Sequence, residues 1–140
     1  MLFLFGALAG GVYLASQFRL APSPAVVSSI ERGSLQMRLG ESGLWVVAKE
    51  GQVVHPGTRL RSAPDTVATV RFMDGGLMRI ESEGEWLLRR SEISRNGQFV
   101  RIVIAQDAGR ASYVPSPVRS RWDALFRTET PGATVDWAGV

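Results

Sequence analysis

The sequence predicts an all-β fold, an antiparallel meander of short strands forming a small sandwich or roll, preceded by one N-terminal transmembrane helix. Three observations predict it. Turn dipeptides recur about every ten residues, from Arg32-Gly33 to Ala108-Gly109. The runs between them are rich in β-branched and aromatic residues. Finally, Met1 to Phe18 carries no charged side chain, and Arg19 is the first charge. The 140 residues supply one ordinary domain, and a content of 45% hydrophobic and 21% charged residues is a folding composition.

The apolar segment comes first in the chain. Leu2, Phe3, Leu4, Phe5, Gly6, Gly10, Val12 and Leu14 are the residues expected to anchor it. Residues 1–18 as a helix would span roughly 27 Å, just short of a ~30 Å hydrocarbon core. A cleaved signal would want a basic start and small residues at the cleavage site, and Tyr13 and Leu14 stand where those are needed. A buried core helix would want a polar face, which this segment lacks. Gly6 and Gly10 form a G-x-x-x-G step that lets two membrane helices approach closely, although glycine is common in such helices anyway. Arg19, Arg32 and Arg38 all follow the segment, so the positive-inside rule alone would put the body in the cytoplasm.

Residues 19–25 read as a linker, because Ala21-Pro22-Ser23-Pro24 breaks any helix. From residue 26 to 140 no stretch keeps a helical period over about eleven residues. The predicted strands are Val26–Ile30, Trp45–Ala48, Val67–Met73, Leu77–Ile80, Trp86–Ile93, Phe99–Ile104 and Ala111–Val114. Alternation over Val67–Met73 puts Ala68, Val70 and Phe72 on one face, with Val67, Thr69, Arg71 and Met73 on the other. Asp74-Gly75 and Asn96-Gly97 each close a hairpin. Without a helix for crossovers, the strands are expected to pair antiparallel.

Chemistry is scarce. The absence of cysteine excludes disulfides and thiolate sites, and the single His55 excludes any two-histidine metal centre. His55 lies in a turn with Ser62 and Asp65 near it only in sequence, and nothing places them around it. Glu81, Glu83 and Glu85 would share a face on one continuous strand, but Gly84 points to a turn and a solvated edge. The net charge of +3 is small, and all basic residues but Lys49 are arginines scattered over the strands. Trp45, Trp86, Trp122 and Trp137 are spaced for packing more than for base stacking, so nucleic acid is not an expected partner. No phosphate-binding or nucleophile-elbow motif occurs, and neither an enzyme nor a cofactor is expected.

Two stretches, Pro56-Gly57-Thr58-Arg59-Leu60-Arg61-Ser62 and Thr66 through the Asp74-Gly75 hairpin to Ile80, resemble the FecR domain. Val27–Gln36 is similar to its opening strand pair, Trp45-Val46-Val47 to the segment before the proline-glycine turn, and Phe126–Ala133 to its threonine-proline strand. Ser62 stands where threonine is usual and Gly76 where serine is usual. Ala138-Gly139-Val140 falls short of the family's valine-arginine-glycine-threonine step, so the expectation is either a fragment or an incomplete last strand. The resemblance implies a domain on the outer side of the bacterial cytoplasmic membrane, against the charge rule.

The resulting expectation is a membrane-anchored, extracytoplasmic, non-catalytic protein acting in protein interaction or signal sensing at the cell envelope. A protein or wall polymer is the expected partner besides the membrane. The candidate interaction surface is Pro56, Gly57 and Arg59 with Arg71, Asp74, Gly75 and Arg79, because loops on rigid sheets carry contacts. The alternatives are an assembly module that forms a homo-oligomer through an exposed edge strand, and an anti-sigma-type transmembrane regulator should a cytoplasmic segment precede Met1.

Overall fold

A computed structural model describes residues 19–114, 116 and 123–136, which form thirteen strands and no helix. The first seven are β1 (Leu20–Pro22), β2 (Ala25–Arg32), β3 (Leu35–Leu39), β4 (Val46–Val47), β5 (Val53–Val54), β6 (Thr58–Ser62) and β7 (Val67–Arg71). The rest are β8 (Leu77–Ile80), β9 (Gly84–Ser94), β10 (Phe99–Ala108), β11 (Ala111–Val114), β12 (Asp123–Thr130) and β13 (Ala133–Asp136). One sheet runs β13-β12-β10-β9-β6-β3-β4, with β1 also on β9; the second runs β11-β8-β7-β2-β5. The all-β expectation holds.

Turn chemistry explains most strand ends. Gly33, Gly51, Gly57, Gly75, Gly97 and Gly109 all take positive φ, as does Asp65 at 59°. Both expected hairpins form: β7 returns as β8 with Arg71 opposite Leu77, and β9 returns as β10 with Ile93 opposite Val100. In the second turn the Ser94 hydroxyl donates to Asn96 Oδ1 (2.6 Å) and accepts the Phe99 amide (3.1 Å). The expected alternation of β7 is also present, with Ala68, Val70 and Phe72 buried and Arg71 and Met73 exposed.

The antiparallel meander needs a correction. β12 lies parallel to β10, from Phe99 opposite Asp123 to Ala105 opposite Glu129. Parallel neighbours require a crossover, and no helix is needed for it. The chain leaves β10, pairs β11 with β8 in the other sheet, and comes back as β12. The linker reading of residues 19–25 is amended too. β1 pairs with β9, the Ser23 amide donates to the Ser91 carbonyl (2.7 Å), and Ala25 is already in the core. The eleven-residue β9 therefore has β6 along its first half, β1 along its second, and β10 along its other side. The expected transmembrane helix, with Leu2, Phe3, Leu4, Phe5, Gly6, Gly10, Val12 and Leu14, lies outside the described residues, as does the chain beyond Asp136. Among the described residues no helix is long and apolar enough to cross a membrane.

The core fills the space between the two sheets. Leu35, Leu60, Leu88, Ile102 and Ile104 come from the larger sheet, and Val27, Val54, Val70, Phe72, Met78 and Ile80 from the smaller. Trp86 is its largest fully buried side chain. The indole needs glycine beside it: a Cβ on Gly84 would lie 2.6 Å from Trp86 Cη2 and 2.5 Å from the Ala108 carbonyl oxygen. Gly109 is similarly confined, since a Cβ there would lie 2.7 Å from Gly84 Cα. Phe126 packs edge-on against Phe72 and Tyr113, with ring centroids 5.3 and 6.0 Å apart.

Tyr113 carries a polar group into this core, and its hydroxyl donates to Gln106 Oε1 at 2.7 Å. Burial pushes the phenol up to about 12, opposed by hydrogen bonding to Thr128. Trp86 Nε1 is buried without a hydrogen-bond partner among the described residues.

Two stability outcomes follow from this packing. Gly84→Ala should lower stability by about 1–3 kcal/mol in urea unfolding, through overpacking. Gly132→Ala, where nothing lies within 4 Å, should be near neutral. Because the Tyr113 pKa is raised in the folded state, its contribution is complete below pH ~10 and is lost as pH rises toward 12. Unfolding followed against pH should show that alkaline loss in the parent and a shallower one in Tyr113→Phe.

Candidate functional site

The seven residues of the expected interaction surface are not brought together. Pro56 and Gly57 form the turn before β6, where the Gly57 amide donates to the Leu88 carbonyl (2.7 Å) and its carbonyl accepts the Gly40 amide (3.3 Å). Arg59 lies on the outer face of the larger sheet, 3.0 Å from Asp107 and 3.9 Å from Glu85. Arg71 and Arg79 lie on the outer face of the smaller sheet, across the core. Arg79 is held by Glu31 at 3.0 Å and Glu81 at 3.3 Å, and the Glu31 hydrogen bond chiefly raises its pKa.

Asp74 and Gly75 serve their own turn. Asp74 is buried, its Oδ1 accepts the Gly76 amide (2.9 Å), and its carbonyl accepts the Ser116 hydroxyl (2.5 Å). Gly75 has φ 93°. Gly76 is confined as well, because a Cβ there would stand 3.1 Å from both Asp74 Oδ1 and Phe126 Cε2.

The groups weighed for catalysis are also separated. His55 is exposed in its turn, whereas Ser62 is buried at the far end of β6 with its hydroxyl on the Ser82 carbonyl at 2.6 Å. Glu81 follows β8 and Glu85 belongs to β9, so the three glutamates do not form one row. Among the described residues no group of three or more histidine, aspartate or glutamate side chains gathers to hold a cation.

A different cluster does assemble, on the larger sheet at its β4 edge. Strand register sets Gln36 opposite Val47 on one side and Arg61 on the other, and Arg61 opposite Glu85. The next outward row runs from Arg38 to Arg59 to Leu87, and extending the β3–β4 ladder by one step puts Trp45 beside Arg38. The Arg61 guanidinium sits 4.1 Å from the Trp45 ring centroid and that of Arg38 sits 4.9 Å from it. Arg61 also donates twice to Gln36 Oε1, at 2.6 and 3.1 Å, and Arg38 donates to the Gly40 carbonyl at 3.1 Å. Neither guanidinium pairs with a carboxylate among the described residues, unlike Arg59, Arg79, Arg89, Arg90 and Arg127.

The surroundings of this cluster are apolar on one side and concave on the other. Leu39, Leu44, Val46 and Val47 are exposed around the edge, Leu44 at 87%. On the inner flank, Arg61 and Glu85 line an open groove of about 540 Å³ whose walls include the small residues Ser62, Gly84 and Ala108. The sequence supplied hints of this patch in Trp45 and the Arg59-x-Arg61 alternation. Its assembly depends on β3 lying between β4 and β6, which no local pattern encodes.

Comparison with known protein families, with curated proteins and with solved structures finds no match for the chain.

The two described tryptophans should respond oppositely to truncation. Trp86→Ala should cost about 3–5 kcal/mol, as for other large core truncations. Trp45→Ala should cost no more than about 1 kcal/mol, the scale of a surface cation–π contact. Thermal unfolding of the two variants measures the contrast.

Proposed function

We propose that the chain is a FecR-like, non-catalytic binding module, tethered by residues 1–18 to the bacterial cytoplasmic membrane with its β body outside. It acts there in protein interaction or signal sensing. The observation that carries the binding role is the Arg38–Trp45–Arg61 cluster, a cationic and aromatic patch without ion-paired carboxylates among the described residues, beside an exposed apolar sheet edge. Such rigidly held arginine and aromatic groups are the residues that anchor interfaces.

Two further features support the reading. Three of the stretches that resemble the FecR domain fall on strand-turn-strand units: the Pro56-Gly57 turn leads into β6, β7 returns as β8, and β12 turns at Pro131-Gly132 into β13. Arg19 and Arg95 line one open groove at the end where the apolar segment joins the body, a fitting place for guanidinium groups beside lipid headgroups.

A second reading, self-assembly through an edge strand, is favoured by β13, all four of whose residues are exposed at the far edge of the larger sheet. Edge pairing through β13 would make the chain a discrete oligomer in gel filtration.

The tether has a direct test. The full chain produced in a bacterium should sediment with membranes and stay there through a high-salt wash, and a protease added outside the cytoplasmic membrane should reach the body. Release by salt, or protection from that protease, would overturn the assignment.

A further inference from the structure

The β4 edge has a polarity and a chemistry that specify what can pair with it. The Ala48 amide donates to the Leu35 carbonyl at 2.8 Å, so the alternation of an antiparallel ladder turns the main-chain groups of Trp45 and Val47 away from β3. No hydrogen bond within the described residues occupies them. An added strand would meet these free donors and acceptors, as in recognition by β-augmentation.

Its side chains are specified by the two faces it would meet. On the outer face they would fall next to Trp45, over which the Arg38 and Arg61 guanidinium groups already lie. Carboxylates there would supply the ion-pair partners that these two arginines lack among the described residues. On the inner face they would meet Val46, half exposed at 49%, with Leu44 beyond it. Apolar residues belong there. Two copies of this chain joined through β4 would instead crowd four guanidinium groups onto one face, which like-charge repulsion opposes.

From this placement we propose that β4 captures an extended segment of a partner protein, alternating acidic and apolar residues, as an added strand of the larger sheet. This deepens the binding role assigned above and rests on it, but not on the membrane tether. Loss of the tether in the salt wash would leave the capture test standing, and failure of capture would leave the tether standing.

The test uses the full chain in zwitterionic detergent micelles and two fluorescent capped hexapeptides, one alternating glutamate with valine and the other lysine with valine. The glutamate peptide should bind, by anisotropy, at least about tenfold more tightly than the lysine peptide, and more weakly as salt rises. Reversing both charges, Arg38→Glu with Arg61→Glu, should invert the preference. Val47→Pro removes an outward amide donor at an edge position that tolerates proline, and should abolish capture with the unfolding midpoint kept. If Val47→Pro fails to fold, the charge-reversed variant decides.

Equal binding of the two peptides, or capture unaffected by a folded Val47→Pro variant, would overturn the proposal. So would binding of an acidic polysaccharide such as polygalacturonate, or self-association lost in Val47→Pro, where the glutamate peptide does not bind.

Discussion

The buried Trp86 indole is the contact on which the arrangement of this protein depends. It lies in β9, the strand that pairs with β1, β6 and β10, so its position is shared by most of the larger sheet. Two backbone segments, at Gly84 and Gly109, close over the ring so that an added Cβ would lie 2.6 and 3.1 Å from its Cη2. Those segments are the start of β9 and the end of the hairpin arm that leads to β11. Fitting the indole thus fixes the point where the chain departs for the other sheet. The parallel return of β12 follows from that departure, and so does the place of Phe126 against Phe72 and Tyr113.

The arginines serve three distinct purposes once the register is known. A bulge in β9 turns both Arg89 and Arg90 outward, and each meets an acid, Glu129 and Glu92. Val103 is buried beneath this outer face, in register with Arg90 on one side and Arg127 on the other, where long aliphatic stems cover apolar surface while their charged heads stay wet. Exposed pairs of this sort contribute little to stability and mainly keep the surface soluble. Arg38 and Arg61 differ from both groups. They are held in place by an indole, a glutamine and a backbone carbonyl, so their orientation is set while neither forms an ion pair among the described residues.

Local information accounts for the elements but not for their neighbours. The φ > 0 turns at Gly75 and Gly97 were readable because glycine after aspartate or asparagine has one economical use between two alternating runs. The burial of Ala68, Val70 and Phe72 was readable for the same reason, since a strand has only two faces. Gly84 rightly marked the bend between β8 and β9, but it takes no positive φ and also makes a close approach to Trp86, which spacing alone cannot show. Parallel pairing of β10 with β12 was unreadable because its crossover is a strand belonging to the other sheet. The candidate surface suffered likewise. Pro56–Arg59 and Arg71–Arg79 are close in sequence, and only the alternation between sheets puts the core between them.

The way β1 lies along β9 has a mechanical consequence. A pull on the chain at Arg19 would load three ladder pairs, Leu20 with Ser94, Ala21 with Ile93 and Pro22 with Glu92. The Ser23 amide on the Ser91 carbonyl makes Pro22 a non-hydrogen-bonded position, so within these pairs only Ala21 faces β9 with its main-chain groups, and so short a ladder would peel open from its outer end at low force. Opening it would lengthen the chain by roughly 10 Å before any tension reached Ala25 and the buried face of β2. The body would behave as though fitted with a short, resettable slack, able to yield and re-form while the interior stays shut.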